Sequence, residues 1–272
     1  MATGATNTTR KYTPKLSGTS VLVIGGTSGI GYGVVEGLIE HKVSNVYISS
    51  SRQSRIDSTI ARLKGTYPDA LGTTTRVTGI ACDLGDEATL ESNVKALYAS
   101  IPEPLNHVVF TAGDALGIKP LDDVDLGFFK QCGMVRFFAP FFVTKYARER
   151  LVPGVASSVT LTTGGVSEKP SPNWAAITPW MTGLHGMCRQ FALDLAPLRV
   201  NIVSPGAVRT ELWDTVITDP KVREAAIETY AKKMATGQVG NVDDVAESYL
   251  YLMKDKNVTG TVIRSDGGAF LL

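Results

Sequence analysis

The sequence predicts a single α/β domain built around a doubly wound parallel sheet. Two observations carry that prediction. Short apolar runs alternate with amphipathic helical stretches along nearly the whole chain, and the first run, residues 21–24, leads straight into the glycine-rich turn Gly25-Gly26-Thr27-Ser28-Gly29-Ile30-Gly31. A continuous apolar run of this length is the pattern of a strand buried on both faces, and strands separated by helices imply right-handed parallel crossovers.

The elements follow in order. Residues 1–18, rich in Thr and Gly and holding Pro14, read as a flexible arm, and residues 19–272 as the domain. After the first strand, Ile30, Val34, Val35, Leu38 and Ile39 recur at helical spacing. Strand patterns then fall at 46–49, 76–81, 107–111, 158–163, 200–204 and 260–265. Helical patterns fall at 56–63, 88–101, 126–151, 179–195 and 242–253. The segment 211–240 lacks a strand pattern and carries Trp213, Tyr230 and Met234; it is expected to form a flap over a substrate pocket. No internal repeat and no Pro/Ser/Gly linker divides the chain.

Composition narrows the function. With 43% hydrophobic residues the 272-residue chain can build a sizeable core, and 19% charged residues argue against disorder. Lys+Arg (27) and Asp+Glu (26) nearly cancel, so a nucleic-acid partner is not expected. No apolar stretch is long enough to span a bilayer, so a membrane is not expected either. Cys82, Cys132 and Cys188 are far apart without a CxxC, and His41, His107 and His185 are scattered, so neither disulfides nor a metal site is indicated. The polar N-terminus has no hydrophobic signal region, and a cytoplasmic setting is expected.

The turn after the first strand points to a dinucleotide. Gly25 and Gly29 let backbone approach a pyrophosphate, Gly31 lets the helix pack on the strand, and the helix N-terminus offers free N–H groups to an anion. The bare alternative is a tight turn with no ligand. At the end of the second strand, Ser51, Arg52 and Ser54 stand where an acid would select NAD; a guanidinium and hydroxyls suit a 2′-phosphate, hence NADP(H), unless Arg52 is simply a solvated loop charge. Asp83 is placed either to accept from an adenine amino group or to cap a helix.

Together these motifs resemble the short-chain dehydrogenase/reductase family, a Rossmann-type fold, over about residues 18–270. Gly25 to Gly31 is similar to the family's TGxxxGxG, Cys82-Asp83-Leu84 to its adenine-side motif, and Thr111-Ala112-Gly113 to its Asn-Ala-Gly. Pro205-Gly206 with Val208 and Thr210 resembles the stretch that reaches the nicotinamide, and Asp243-Asp244-Val245-Ala246 and Ser265-Asp266-Gly267-Gly268 resemble the C-terminal signatures. The resemblance implies NADP(H) held by Gly25, Thr27, Ser28, Gly29, Ile30, Gly31, Ser51, Arg52, Ser54, Asp83, Leu84, Ala112, Gly113, Pro205, Gly206, Val208 and Thr210.

The family's catalytic residues are missing. Anchored on Leu195-Ala196-Pro197, the Tyr position falls on Ile177, the Lys position on Met181, the Ser position near Thr163-Gly164 and the Asn position on Arg136; no Tyr-x3-Lys occurs anywhere in the chain. This altered pattern, with Ser167-Glu168-Lys169-Pro170-Ser171-Pro172-Asn173-Trp174, is similar to a fungal subgroup: the reductase/cyclases that build the bicyclodiazaoctane core of malbrancheamide- and paraherquamide-type indole alkaloids. That resemblance implies an atypical reductase of secondary metabolism transferring hydride to an activated C=N or C=O, coupled to an intramolecular Diels–Alder closure. It also implies catalytic roles for Arg136 and for Asn173, which stands where the subgroup has an Asp and which cannot carry charge. Ser167, Trp174 and Trp213 are candidate substrate contacts. A non-catalytic NADP-binding sensor or scaffold is the competing reading of the same losses. Phe137, Phe138, Phe141 and Phe142 are expected at a homo-oligomer interface, dimeric or tetrameric.

Overall fold

A computed structural model describes residues 11–12 and 15–272. Seven strands form one sheet: β1 (Ser20–Ile24), β2 (Asn45–Ser50), β3 (Arg76–Ala81), β4 (His107–Phe110), β5 (Ser158–Thr162), β6 (Arg199–Pro205) and β7 (Val262–Ser265). Their order is β3-β2-β1-β4-β5-β6-β7, and every pairing is parallel. The chain therefore reverses its winding between β1 and β4, which lie side by side with Val21 opposite His107 and Ile24 opposite Phe110. Such a switch point opens a crevice at the carboxyl ends of the strands.

All five residues of β1 are buried. Val21 and Val23 face one apolar layer, shared with α1 (Gly29–Glu40), α2 (Gln53–Thr66) and α9 (Val242–Lys254). Leu22 and Ile24 face the other, shared with α3 (Leu90–Ala99), α5 (Ala139–Ala147) and α6 (Thr178–Asp194). This two-sided burial is why β1 is continuously apolar rather than alternating. Two buried polar groups brace the floor. Arg199 donates to the carbonyls of Val155 (2.7 Å), Leu252 (2.6 Å) and Met253 (3.0 Å), so the C-terminal carbonyls of α9 hold a buried cation. His107 pairs with the Ser158 hydroxyl at 2.9 Å, and burial, aided by Arg199, pushes its pKa down to about 3.

Several details differ from the sequence expectation. Most of the expected arm, residues 1–10 and 13–14, lies outside the described residues; at its inner end Leu16 is completely buried, in the apolar layer that α1 and α9 also line. The single helix expected over 126–151 is three pieces: α4 (Leu126–Gly133), a π-helical turn (Met134–Phe138) and α5. Pro140 explains the break. In an unbroken α-helix the Arg136 carbonyl would need the residue-140 N–H, which proline lacks, and the proline ring would press on that carbonyl. The helix widens instead, with the Ala139 N–H bonding to the Met134 carbonyl five residues back. The flap segment contains α7 (Leu212–Val216) and α8 (Pro220–Ala231). Of the four phenylalanines, Phe137 and Phe138 pack on Trp180 at 5.2 Å between ring centroids, so they serve the interior; Phe141 alone of the four is exposed.

Candidate active site

The cofactor half of the crevice is a cradle of backbone. Gly25 has φ +89°, a left-handed conformation, and a Cβ there would lie 2.5 Å from the Ala112 nitrogen. At Gly31 a Cβ would lie 2.2 Å from the Gly25 carbonyl oxygen and 2.4 Å from the Thr111 hydroxyl. The two glycines thus clamp the β1–α1 turn onto the end of β4. The Ser28 side chain makes no capping bond, and the Gly29 N–H donates instead to the Glu211 carboxylate at 2.9 Å. An α-helix N-terminus that already holds an anionic oxygen, over a cradle with no room for side chains, fits a dinucleotide pyrophosphate.

Other expected cofactor contacts converge on the same edge. Thr27 and Ile30 are half-buried and Ser28 is exposed within the turn. Ser51, Arg52 and Ser54 are exposed at the end of β2, beside the N-terminus of α2, which has no side-chain cap. Asp83 does not cap a helix, since α3 begins only at Leu90; its Oδ1 accepts from the Gly85 N–H at 3.0 Å in a local turn, and Leu84 behind it is buried. Gly206 donates its N–H to the Ser265 carbonyl at 3.0 Å, and Pro205 ends β6 beside it. Val208 is buried, and the Thr210 methyl lies 3.2 Å from where a Gly29 Cβ would stand, so the 205–210 stretch meets the β1–α1 turn.

The catalytic half is different. Thr163 spends its hydroxyl on the Met181 carbonyl at 2.8 Å. Ile177 and Met181 are buried among Cys132, Trp174, Trp180 and Ala176. Arg136, presented by the π-helical turn, lies with its guanidinium against Gly113: a Cβ there would be 2.9 Å from Nη1 and 3.2 Å from Cζ. Its Nε stands 3.0 Å from Asp114 Oδ1, and its Nη2 donates to the Asp114 carbonyl oxygen. The Arg136 side chain keeps 12% of its surface and Asp114 30%. Burial pushes the Asp114 carboxyl above its usual range, opposed by the neighbouring guanidinium; burial likewise lowers Arg136, opposed by the carboxylate. The sequence reading missed Asp114. Its signal was available: an acid directly follows the Thr111-Ala112-Gly113 motif, opposite a cation placed at the same edge.

The remaining candidates divide. Asn173 is exposed with φ +68°, a conformation asparagine tolerates better than most residues, and its carbonyl accepts from the Lys119 N–H at 3.0 Å, which ties its loop to the segment running on from Asp114. Trp174 is half-buried, with part of its ring used in the apolar cluster. Ser167 is not a free substrate contact: it is buried and its hydroxyl is engaged by His185 Nε2 at 3.0 Å. Trp213 is likewise committed, donating its indole N–H to the Val208 carbonyl at 2.8 Å and standing edge-on to Tyr230 at 5.2 Å, so it braces the flap.

Comparison with known proteins agrees with this geometry. The family model of the SDR-like Rossmann domain matches residues 12–272. The chain is 44% identical over 263 residues to the short-chain dehydrogenase/reductase fsr5 of Gibberella fujikuroi, covering 96% of this chain and 98% of that one. It is 38% identical over 265 residues to the short-chain dehydrogenase/reductase malC of Malbranchea aurantiaca, covering 97% and 98%. Among solved structures, the MalC reductase/Diels-Alderase of Malbranchea aurantiaca superposes with a TM-score of 0.88 at 37% identity, over 96% of this chain and 99% of that one. A small-chain dehydrogenase solved in complex with NADPH superposes with a TM-score of 0.74 at 25% identity, over 94% and 100%. From the glycine clamp at the β1/β4 switch point to the full-length family match, the chain belongs to the short-chain dehydrogenase/reductase family of oxidoreductases.

Proposed function

We propose that the protein is an NADP(H)-dependent reductase of fungal secondary metabolism that acts on an already activated C=N or C=O of a natural-product intermediate, using the Arg136–Asp114 pair in place of a phenolic acid. One observation carries the reading. Ile177 and Met181, where the resemblance puts the family's Tyr and Lys, are apolar and buried, while a buried Arg136 guanidinium with the Asp114 carboxylate lies against Gly113. The bound cofactor supplies a hydride.

The protein residues set what can accept it. Reduction of an iminium carbon forms one C–H bond and moves the C=N π pair onto nitrogen, so no proton has to be donated. Reduction of a neutral ketone requires a proton, and a guanidinium is too weak an acid to give one at neutral pH. Arg136 instead offers fixed donors to a substrate carbonyl or carboxylate. Asp114 offsets the Arg136 charge, so a cationic substrate is not repelled from the crevice. Exposed Ser51, Arg52 and Ser54 favour the 2′-phosphate of NADP(H). The likeness to the MalC reductase/Diels-Alderase extends the proposal to an intramolecular cycloaddition following reduction, within the cover formed by the 211–240 flap. No helix among the described residues is long and apolar enough to cross a membrane. Exposed Phe141 is our candidate for the centre of a homo-oligomer contact.

The test is NADPH oxidation with a cyclic iminium probe such as a 3,4-dihydroisoquinolinium ion. Arg136→Ala is expected to lower turnover on the order of a hundredfold while NADPH affinity, read by its fluorescence, changes little. Retained turnover in that variant removes Arg136 from the mechanism. NADPH binding with no oxidation by any iminium favours the non-catalytic reading.

A further inference from the structure

The N-terminus of α1 is already engaged by an anion from the chain itself. Gly29 N–H, the first helical N–H after the glycine turn, donates to Glu211 Oε2 at 2.9 Å across 182 residues of sequence. This is the group that the cradle geometry assigns to the pyrophosphate, and the Thr210 methyl sits beside it. Two anions do not share one helix N-terminus without repulsion. Glu211 is also the first residue of the flap, immediately before α7.

From this point the flap is internally braced. Arg209 grips Glu224 through two bonds of 2.9 Å, Arg223 pairs with Asp214 at 2.9 Å, and Trp213 stands against Tyr230. Its two ends are joined where Val208 bridges to Gly240, and its C-terminal end is tied to the body where the Thr236 N–H donates to the Gly267 carbonyl. A shift of Glu211, at the N-terminal end, is thus passed to α7 and α8 together, against an anchored C-terminal end.

We infer that Glu211 is a cofactor-affinity determinant: its carboxylate holds the pyrophosphate seat in the cofactor-free protein, and the dinucleotide must displace it, releasing the braced flap from α1. The inference rests on the dinucleotide reading but not on the identity of the organic substrate. It makes cofactor binding weaker than the cradle alone would give, and it makes flap position a reporter of cofactor occupancy.

The experiment titrates NADPH by fluorescence into wild type, Glu211→Gln and Glu211→Ala, with inorganic pyrophosphate as a second probe. Both variants are expected to bind NADPH about two- to fivefold tighter, the range a charge at a helix N-terminus supports, with the gain shrinking at high salt. Pyrophosphate affinity should rise in parallel. A second readout is trypsin cleavage in α8 at Lys221 and Arg223: NADPH should alter its rate in wild type, and Glu211→Ala should show the altered rate without NADPH. Equal or weaker NADPH binding in both variants, with wild type binding normally, overturns the inference and leaves the proposed function standing. Absence of NADPH binding in all three proteins overturns both.

Discussion

The β1–α1 side of the crevice and the β5–α6 side use space in opposite ways. On the first, side chains are deleted: Gly25 and Gly31 bring backbone within distances no Cβ would permit. On the second, side chains are packed in: Ile177 and Met181 are buried with Trp174 and Trp180 in one apolar cluster. A backbone cradle recognises a constant group, the dinucleotide, and tolerates little change. A side-chain wall can be refilled while the fold persists, because the sheet and helices beneath it are held by other contacts. The difference shows how one half of a site can keep its ligand while the other changes its chemistry.

The contrast can be broken most severely at Gly31. Gly31→Ala forces a methyl group to within 2.2 Å of the Gly25 oxygen, between the Gly25 backbone and the Thr111 hydroxyl. The expected loss is about 3 kcal/mol of stability, with NADPH binding abolished, read by denaturant melts and fluorescence titration. If the variant binds normally, the cradle is softer than the wall and the comparison fails.

Asp114→Asn probes the seam between the halves. It leaves the mostly buried Arg136 guanidinium without its anion, and a loss of roughly 2 kcal/mol is expected, less than for a fully buried pair because the Asp114 side chain keeps part of its surface. Selectivity for a cationic iminium over a neutral analogue of the same shape should fall as well, by about tenfold for one charge. A change in stability with unchanged selectivity would make Asp114 structural only. The mildest effect belongs to Arg52→Ala, where the side chain is exposed: preference for NADPH over NADH should drop by roughly tenfold with stability unchanged, as measured by paired titrations.

Legibility in the sequence followed the same division. β1, its glycine turn and the apolar strand runs are short-range patterns, and their positions were readable within a residue or two. The π-helical turn was not, because helical periodicity over 126–151 hides the one residue that matters; Pro140 was visible but was not weighed against the carbonyl four residues back. Asp114 and Glu211 escaped because their partners, Arg136 and Gly29, are 22 and 182 residues away. Ser167 and Trp213 are singled out by their places in the loop after β5 and in the flap, but hydrogen bonds to His185 and Val208 already claim them.

The packing around residues 177 and 181 bears on how this protein could be re-engineered. Writing a tyrosine and a lysine into those two positions would not by itself make a carbonyl reductase. A phenol and an ammonium would enter a dry compartment shaped by two indoles, and each would arrive without hydrogen-bonding company. Polar chemistry at these two positions would first require emptying that compartment, so it is several substitutions away and its early steps are each unfavourable.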